Sequence, residues 1–341
     1  PRQMSGFVRP PRRVCPQSQD TVAALRQPET YPEAPAHVDT IETHMAWVFL
    51  TDAHASKLKK PIRTRLIDYT TIDARRQACE TELALNRRLA EPVYLGVVPV
   101  TQSEEDIRVN GDARTVDWLV KMKRLPRARM LDTCIERGTV QEDAIRHLSA
   151  KLSAFYGRAV PLRWSAGKYR GRLTANLRSK GASLEHPRYG LDRTDVREVV
   201  GSLLQWISEH GPLLGARGAH VVDAHGDLRP EHVCLTDPPM IIDCLEFNRS
   251  LRLHDPVSDL SFLSLECRRL GAEWIGDRLL ALYRAHTGDH VSPRLIPFYE
   301  RYHAVIRAAI AIWHLDDEPL RHPDRWRQQA EAYLWLARPR A

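Results

Sequence analysis

The feature that most constrains this chain is a segment in which two aspartates flank a predicted β-hairpin. It runs from residue 221 to residue 247 and reads VVDAHGDLRPEHVCLTDPPMIIDCLEF. The apolar runs VCLT and MIID lie on either side of the turn signal DPP, which predicts two short paired strands. Asp227 precedes the first strand and Asp243 ends the second. We therefore expect both carboxylates to point into one site.

The rest of the chain divides at Pro126 into a strand-rich part and a helical part. Before Pro126 the apolar runs are short and separated by polar turns, and a single stretch over 73–90 has helical spacing. After Pro126, long amphipathic helices dominate. We predict an α+β protein with a loosely ordered N-terminal arm over 1–39, a small, mainly β lobe over 40–125 and a larger, mainly helical lobe over 126–341. The predicted strands of the small lobe are MAWVFLT, SKLKKPI, YLGVVPVTQ and TVDWLVKMKRLP.

Composition excludes several classes of protein. The chain has 341 residues, of which 43% are hydrophobic, and this is enough for a sizeable core. No run of about 18 apolar residues is present, so we predict no membrane association. The net charge of +7 comes from basic residues scattered among acids, a pattern that suits a polyphosphate ligand and does not indicate a nucleic-acid surface. Six cysteines without a CxxC pair indicate reduced thiols and a cytoplasmic location, with Cys234 and Cys244 as small buried hydrophobes.

Three motifs in close order carry a resemblance to a known superfamily. The loop from His225 to His232, HGDLRPEH, resembles the HGDxxxxN catalytic loop of aminoglycoside phosphotransferases, choline kinases and fructosamine kinases. Ile241–Asp243 resembles their metal-binding motif, and DPVSDL at 255–260 is similar to their DPxxDLA segment. HGDLRPEH followed by IDCLEFN resembles an uncharacterised branch of that superfamily. The resemblance implies a bilobal protein-kinase-like fold.

The resemblance also implies roles for the two aspartates and their neighbours. Phosphoryl transfer needs one carboxylate to orient the attacking hydroxyl and another to hold Mg²⁺ across the phosphates of ATP or GTP. Asp227 suits the first task and Asp243 the second. His225 is expected to position the backbone of the catalytic loop. Asp255 and Asp259 are expected to be structural, and Asp259 would either cap a helix or pair with the catalytic loop.

One position departs from the pattern of the superfamily. Its second metal ligand is an asparagine five residues after the catalytic aspartate, where this chain has His232. A neutral imidazole can bind a metal ion, but Mg²⁺ prefers oxygen ligands. We therefore assign Asp243 and His232 as candidate metal ligands and leave three alternatives open: Mn²⁺ in place of Mg²⁺, a single metal ion, or lost activity.

In the small lobe, the resemblance implies a strand lysine on the nucleotide phosphates and a helix glutamate that orients it. Lys57 is the predicted lysine, with Lys59 as the alternate on the same face of the strand. Glu82 is the predicted partner, with Glu80 as the second choice. Met122, in VKMKRLP, is placed where the adenine would be contacted. The stretch THMAWVFLTD, where a phosphate-binding loop would be expected, contains no glycine.

These residues predict a kinase that moves the γ-phosphoryl group of a nucleoside triphosphate to a hydroxyl of a small molecule. The alternative is a catalytically weak or inactive module of the same fold that binds a nucleotide or a protein partner. The acceptor is not specified by any motif. Glu246, Asn248 and Arg252 could face that acceptor or form local ion pairs, and the sequence leaves both alternatives open.

Overall fold

The structure is a computed structural model that describes residues 16–64, 66–104, 106–316 and 322–339. It divides into two compact units. The first unit contains the described residues up to Met130 together with Met240–Arg249, and the second contains Leu131–Pro239 and the described residues from Ser250 onward.

A six-stranded antiparallel sheet forms most of the first unit. The strands are β1 Asp39–Glu42, β2 Ala46–Leu50, β3 His54–Lys59, β4 Tyr94–Gln102, β5 Ile107–Val109 and β6 Arg114–Lys123. Their order in the sheet is β1-β2-β3-β6-β4-β5. Two helices, α1 Pro16–Leu25 and α2 Ile72–Ala90, and the short strand β9 Met240–Ile241 belong to the same unit.

Helix α2 begins and packs as its sequence requires. The Thr71 side chain accepts a hydrogen bond from the Ala74 N–H and so caps the first turn. Cys79 is fully buried in a hydrophobic cluster with Val120 and Met122 of the sheet. Burial raises the pKa of the Cys79 thiol to about 12, so the side chain stays neutral and acts as a small hydrophobe.

Part of the predicted N-terminal arm belongs to the core of the first unit. Leu25 and Tyr31 are buried in one hydrophobic cluster with Phe49 and Leu58 of the sheet. The Tyr31 hydroxyl also donates a hydrogen bond to the Leu25 carbonyl, at 2.7 Å. Residues 1–15 of the arm lie outside the described residues. The limits of the predicted arm and lobes stay predictions.

The second unit is mainly helical. Its helices are α3 Leu131–Glu136, α4 Glu142–Arg158, α5 Ala166–Leu184, α6 Arg193–Glu209, α7 Gly211–Ala216, α8 Pro256–Arg269, α9 Glu273–Thr287, α10 Leu295–Trp313 and α11 Pro323–Ala337. Its short strands are β7 Val222–Asp223, β8 Val233–Cys234 and β10 Leu253–His254, and β7 pairs antiparallel with β10. A small sheet-based unit and a larger helical unit confirm the predicted α+β, bilobal fold class.

Two strands of the sheet that sequence patterns missed are short. The predicted strands around residues 46, 57, 97 and 119 and the helix over 73–90 are confirmed. Strand β1 was missed because three of its four residues are exposed, so it shows no alternation of apolar and polar residues. Strand β5 has only three residues. Within the described residues, no helix combines the length and apolar character needed to cross a membrane.

Candidate active site

Two lysines on one face of strand β3 form a network of ion pairs inside the first unit. Residues two apart in a strand point to the same side, so Lys57 and Lys59 project together. Lys57 Nζ lies 3.0 Å from Glu82 Oε1 and 2.6 Å from Asp243 Oδ1. Lys59 Nζ lies 2.6 Å from Glu82 Oε2 and forms a second ion pair with Glu246. The two lysines therefore share one carboxylate and have one further carboxylate each.

Glu82 is the centre of this network. Its side chain is 1% exposed and that of Lys59 is 2% exposed. Burial alone raises the pKa of a carboxyl group, but the two ammonium groups outweigh it and hold the pKa of Glu82 below its ordinary value. Burial alone would lower the pKa of Lys57, and attraction to Asp243 and Glu82 raises it well above its ordinary value. Burial would likewise lower the pKa of Lys59, and attraction to Glu82 and Glu246 raises it. Glu82, Lys57 and Lys59 are therefore all charged near neutral pH.

The backbone around Asp243 is held in an unusual conformation. Asp243 has a φ of 60°, in the left-handed region that residues with a side chain rarely adopt. Its N–H donates a hydrogen bond to the Tyr94 hydroxyl at 3.2 Å, and the next N–H, of Cys244, donates to Asn86 Oδ1 at 2.8 Å. The Asp243 side chain remains 43% exposed. Strand β4 and helix α2 thus fix a carboxylate that is still open to a ligand.

Two other residues predicted for the nucleotide site of the small lobe, Glu80 and Met122, do not contact Lys57 in this network. Glu80 is exposed and pairs with Arg76 of the same helix at 2.9 Å, so Glu82, not Glu80, contacts Lys57. Met122 is buried in the hydrophobic cluster of α2 and the sheet, and a contact between Met122 and adenine stays a prediction.

The predicted catalytic loop lies in the second unit, and Asp259 of helix α8 holds its backbone. The Asp259 carboxylate accepts hydrogen bonds from the N–H groups of His225, at 3.0 Å, and Gly226, at 3.1 Å. Gly226 has a φ of 83°, and a Cβ there would lie 3.1 Å from backbone atoms of Arg252 and Leu251. Of the two roles considered for Asp259, its contacts match pairing with the catalytic loop, whereas Asp255 caps α8.

His225 is fully buried beside Asp227. Its Nδ1 accepts a hydrogen bond from the Asp227 N–H at 3.3 Å. Because this atom acts as an acceptor, the imidazole proton is on the other nitrogen. These contacts support a role for His225 in positioning the loop, which remains a proposal.

Tyr156 of helix α4 completes the support of Asp259, and its removal should destabilise the protein. The Tyr156 hydroxyl donates to Asp259 Oδ2 at 2.9 Å, and Asp259 is 1% exposed. We expect Tyr156→Phe to lower the free energy of unfolding by about 1.5–3 kcal/mol, since a hydrogen bond to a buried charge is lost. Urea denaturation measures this change.

Tyr69 provides a matched control for that variant. It is 6% exposed, close to the 5% of Tyr156, but its hydroxyl has no hydrogen-bond partner among the described residues. Tyr69→Phe should therefore change the free energy of unfolding by less than about 0.5 kcal/mol or stabilise the protein. Equal losses in both variants would show that the contact with Asp259 contributes nothing.

His232 has both ring nitrogens engaged inside the catalytic loop. Its Nδ1 lies 2.8 Å from the Asp227 carbonyl oxygen, which can only accept, so Nδ1 carries the proton. Its Nε2 lies 3.2 Å from Arg229 Nη2, which can only donate, so the lone pair of Nε2 accepts that bond. Arg229 Nε is also 3.2 Å from Asp227 Oδ1. His232 therefore hydrogen-bonds both to the backbone of Asp227 and to the guanidinium of Arg229. The same guanidinium contacts the Asp227 carboxylate.

The two predicted metal ligands differ in how well they fit a metal ion. Asp243 offers a half-exposed carboxylate, the type of ligand that Mg²⁺ and Mn²⁺ prefer. His232 does not fit, because its only lone pair points to a guanidinium that would also repel a cation. Over residues 16–64, 66–104, 106–316 and 322–339, no group of three or more His, Cys, Asp or Glu side chains could hold a metal ion.

The structure also reveals roles that the sequence left open. Glu246 forms the buried ion pair with Lys59, and Arg252 Nε lies 2.8 Å from Asp223 Oδ1. The sequence left open whether these side chains face the acceptor or form local ion pairs, and both Glu246 and Arg252 form local ion pairs. Arg229 was not singled out, because its contacts with Asp227 and His232 depend on side-chain conformation within the loop and not on the spacing of residues.

Comparison with known proteins gives relatives without an established function. No family model matches the chain. An uncharacterized protein of Mycobacterium tuberculosis and one of Mycobacterium bovis are each 32% identical to it over 282 residues, which is 80% of this chain. The chain spans 54% of the length of these relatives.

Solved structures give the fold. A choline/ethanolamine kinase family protein from Mesorhizobium loti superposes with a TM-score of 0.52 and 14% identity, over 94% of this chain and 99% of that one. A choline kinase from Cryptosporidium parvum has a TM-score of 0.52 and 10% identity, over 94% of this chain and 95% of that one. At such low identity the likeness concerns the fold alone. The fold predicted from the three motifs is thus confirmed: this chain has the bilobal protein-kinase-like fold.

Proposed function

We propose that this protein is a small-molecule kinase, which transfers the γ-phosphoryl group of ATP or GTP to a hydroxyl group. The observation that supports this most is the contact of Lys57 with both Glu82 and Asp243 within one unit. A lysine fixed by a buried glutamate, next to a half-exposed aspartate, is the arrangement by which kinase-like folds bind nucleotide phosphates. A lysine on the solvent-exposed side of an edge strand would not have these two contacts.

In this proposal the residues of the first unit bind the nucleotide. Lys57 contacts the α- and β-phosphates, and Glu82 prevents its side chain from turning away. Lys59 and Glu246 keep Glu82 and the segment Met240–Arg249 in place. The Asp243 carboxylate would hold Mg²⁺ or Mn²⁺, which supplies charge neutralisation at the phosphates when bound.

The residues of the second unit act on the acceptor. Asp227 accepts the proton of the acceptor hydroxyl, or a hydrogen bond from it, and so orients its oxygen towards the γ-phosphorus. His225 and Asp259 fix the loop backbone that carries Asp227. Since the loop is held by buried groups, the carboxylate needs little reorganisation when the substrate binds.

A second candidate function is a non-catalytic module that binds a nucleotide or a protein partner. Two observations favour it: His232 does not fit a metal ion, and the turn between β1 and β2 contains no glycine that would let backbone N–H groups approach phosphates. This candidate differs from the first in two measurable respects, because it requires neither a metal ion nor phosphoryl transfer.

Calorimetric titration distinguishes the two functions. We expect wild-type protein to bind ATP or GTP more tightly with Mg²⁺ or Mn²⁺ than without, and Asp243→Asn to lose this dependence because its side chain no longer carries a charge. Asp106→Asn is the control, since Asp106 lies in the same unit and is 57% exposed. It should bind as the wild type does.

The other outcomes are equally informative. Binding that is independent of metal and unchanged in Asp243→Asn would support the non-catalytic module. Absence of nucleotide binding under every condition would overturn the kinase proposal and direct the search to protein partners. Metal-dependent binding would justify a screen of sugars, amino alcohols and aminoglycosides as acceptors.

A further inference from the structure

We propose that Arg229, positioned by His232, supplies the positive charge that a second metal ion would otherwise supply at the catalytic loop. The proposal rests on the kinase function above and concerns the stoichiometry of its metal ions. It follows from the contacts of three residues in one loop, Asp227, Arg229 and His232.

The first step is the state of His232. Its Nδ1–H donates to the Asp227 carbonyl and its Nε2 accepts from Arg229, so both ring nitrogens are engaged and no lone pair is left for a metal ion. The side chain is only 9% exposed, which leaves it little room to turn. At the position where the superfamily has a metal-binding asparagine, this chain therefore has a residue that holds an arginine.

The second step is the place of the guanidinium. Arg229 Nε is 3.2 Å from Asp227 Oδ1, while Nη1 is 4.0 Å from Glu231 Oε1. Asp227 is the group that would orient the acceptor hydroxyl, so the phosphoryl group being transferred must pass within a few ångströms of it. The Arg229 side chain is 20% exposed. A fixed, partly accessible guanidinium at this place can donate to phosphate oxygens, for which its geometry is well suited.

The third step is charge. A second divalent ion in a kinase neutralises negative charge that builds up on the phosphates. A guanidinium provides one positive charge and several N–H donors without requiring a ligand set, and it is protonated at every physiological pH. Arg229 can therefore take over part of that task, and the loop would function with the single metal ion bound at Asp243.

Metal stoichiometry tests the first part of the proposal. Mn²⁺ would be titrated into protein saturated with the non-hydrolysable analogue adenylyl imidodiphosphate, and free Mn²⁺ followed by electron paramagnetic resonance. We expect one Mn²⁺ per complex for wild-type protein and two for His232→Asn, in which an amide oxygen replaces the occupied imidazole. Two Mn²⁺ ions in the wild type, with one lost in His232→Ala, would overturn the proposal while leaving the kinase function intact.

Nucleotide affinity tests the second part. In wild-type protein the triphosphate analogue should bind more tightly than ADP, because Arg229 contacts the terminal phosphate. In Arg229→Gln we expect this preference to fall by about tenfold or more, with ADP affinity retained as evidence of correct folding. Arg197→Gln, at an exposed arginine of the same unit, should leave both affinities unchanged.

A purely structural role for Arg229 gives a different result. It would lower the affinities for the analogue and ADP equally, and that outcome would overturn the proposal. If wild-type protein binds neither nucleotide, the kinase function itself fails, and the proposal fails with it.

Discussion

Asp227→Asn should lower the rate of phosphoryl transfer by at least about 100-fold, and up to about 10,000-fold, without weakening nucleotide binding. The amide keeps the size of the side chain but cannot accept the proton of the acceptor hydroxyl. The loop itself should be preserved, because His225 and Asp259 hold its backbone through N–H groups and not through the Asp227 carboxylate. Turnover would be measured with the acceptor obtained from the screen, and nucleotide affinity by calorimetry.

A matched variant separates this effect from a general loss of charge. Asp324→Asn removes a carboxylate of the same unit that is 85% exposed, and it should have wild-type turnover. Turnover of Asp227→Asn equal to that of Asp324→Asn would refute the assignment of Asp227. A parallel loss of nucleotide affinity would indicate that the loop had been disturbed.

Glu82→Gln should lower the free energy of unfolding at pH 7 by about 3–5 kcal/mol, because it removes the buried carboxylate that Lys59, which is buried, and Lys57, which is mostly buried, share. Lys57 and Lys59 would keep Asp243 and Glu246 as partners, but the charge between them would be lost. Urea denaturation measures the change. Glu80→Gln is the control two residues away, where an exposed pair with Arg76 contributes about 0–1 kcal/mol.

The difference in stability between wild-type protein and Glu82→Gln should also depend on pH. The pKa of Glu82 is lower in the folded protein than its ordinary value of 4.5. Its contribution to stability is therefore fully present above about pH 4.5 and is lost as the pH falls through the folded-state pKa. The difference in stability between wild-type protein and Glu82→Gln should be constant from about pH 6 to 8 and decrease in acid. A difference that grows in acid would contradict the network described here.

The architecture could be predicted from the sequence, because the motifs and the alternation of residues in strands are local patterns. Three motifs predicted the bilobal fold, and apolar alternation predicted four of the strands of the sheet. The choice between Lys57 and Lys59 could not be made in this way, since both lie on one face of β3 and spacing treats them alike. In the structure both contact Glu82, so the two alternatives are parts of one network.

The role of His232 shows a different limit of sequence reasoning. Its position in the motif made it a candidate metal ligand, although Mg²⁺ prefers oxygen ligands to an imidazole. Whether an imidazole offers a lone pair, however, depends on what its two nitrogens contact. That is decided by the conformation of Arg229 and by the Asp227 carbonyl, neither of which any spacing rule includes.

The division of the chain has a practical consequence for work with fragments. Met240–Arg249 belongs to the first unit, whereas the residues before and after it belong to the second. A fragment that ends at Met130 would lack Asp243 and Glu246, and Glu82 alone would then face the ammonium groups of Lys57 and Lys59. Such a fragment would enclose unbalanced positive charge and should fail to fold. A single cut therefore cannot isolate the first unit, and the network around Glu82 has to be studied in a chain that also contains Met240–Arg249.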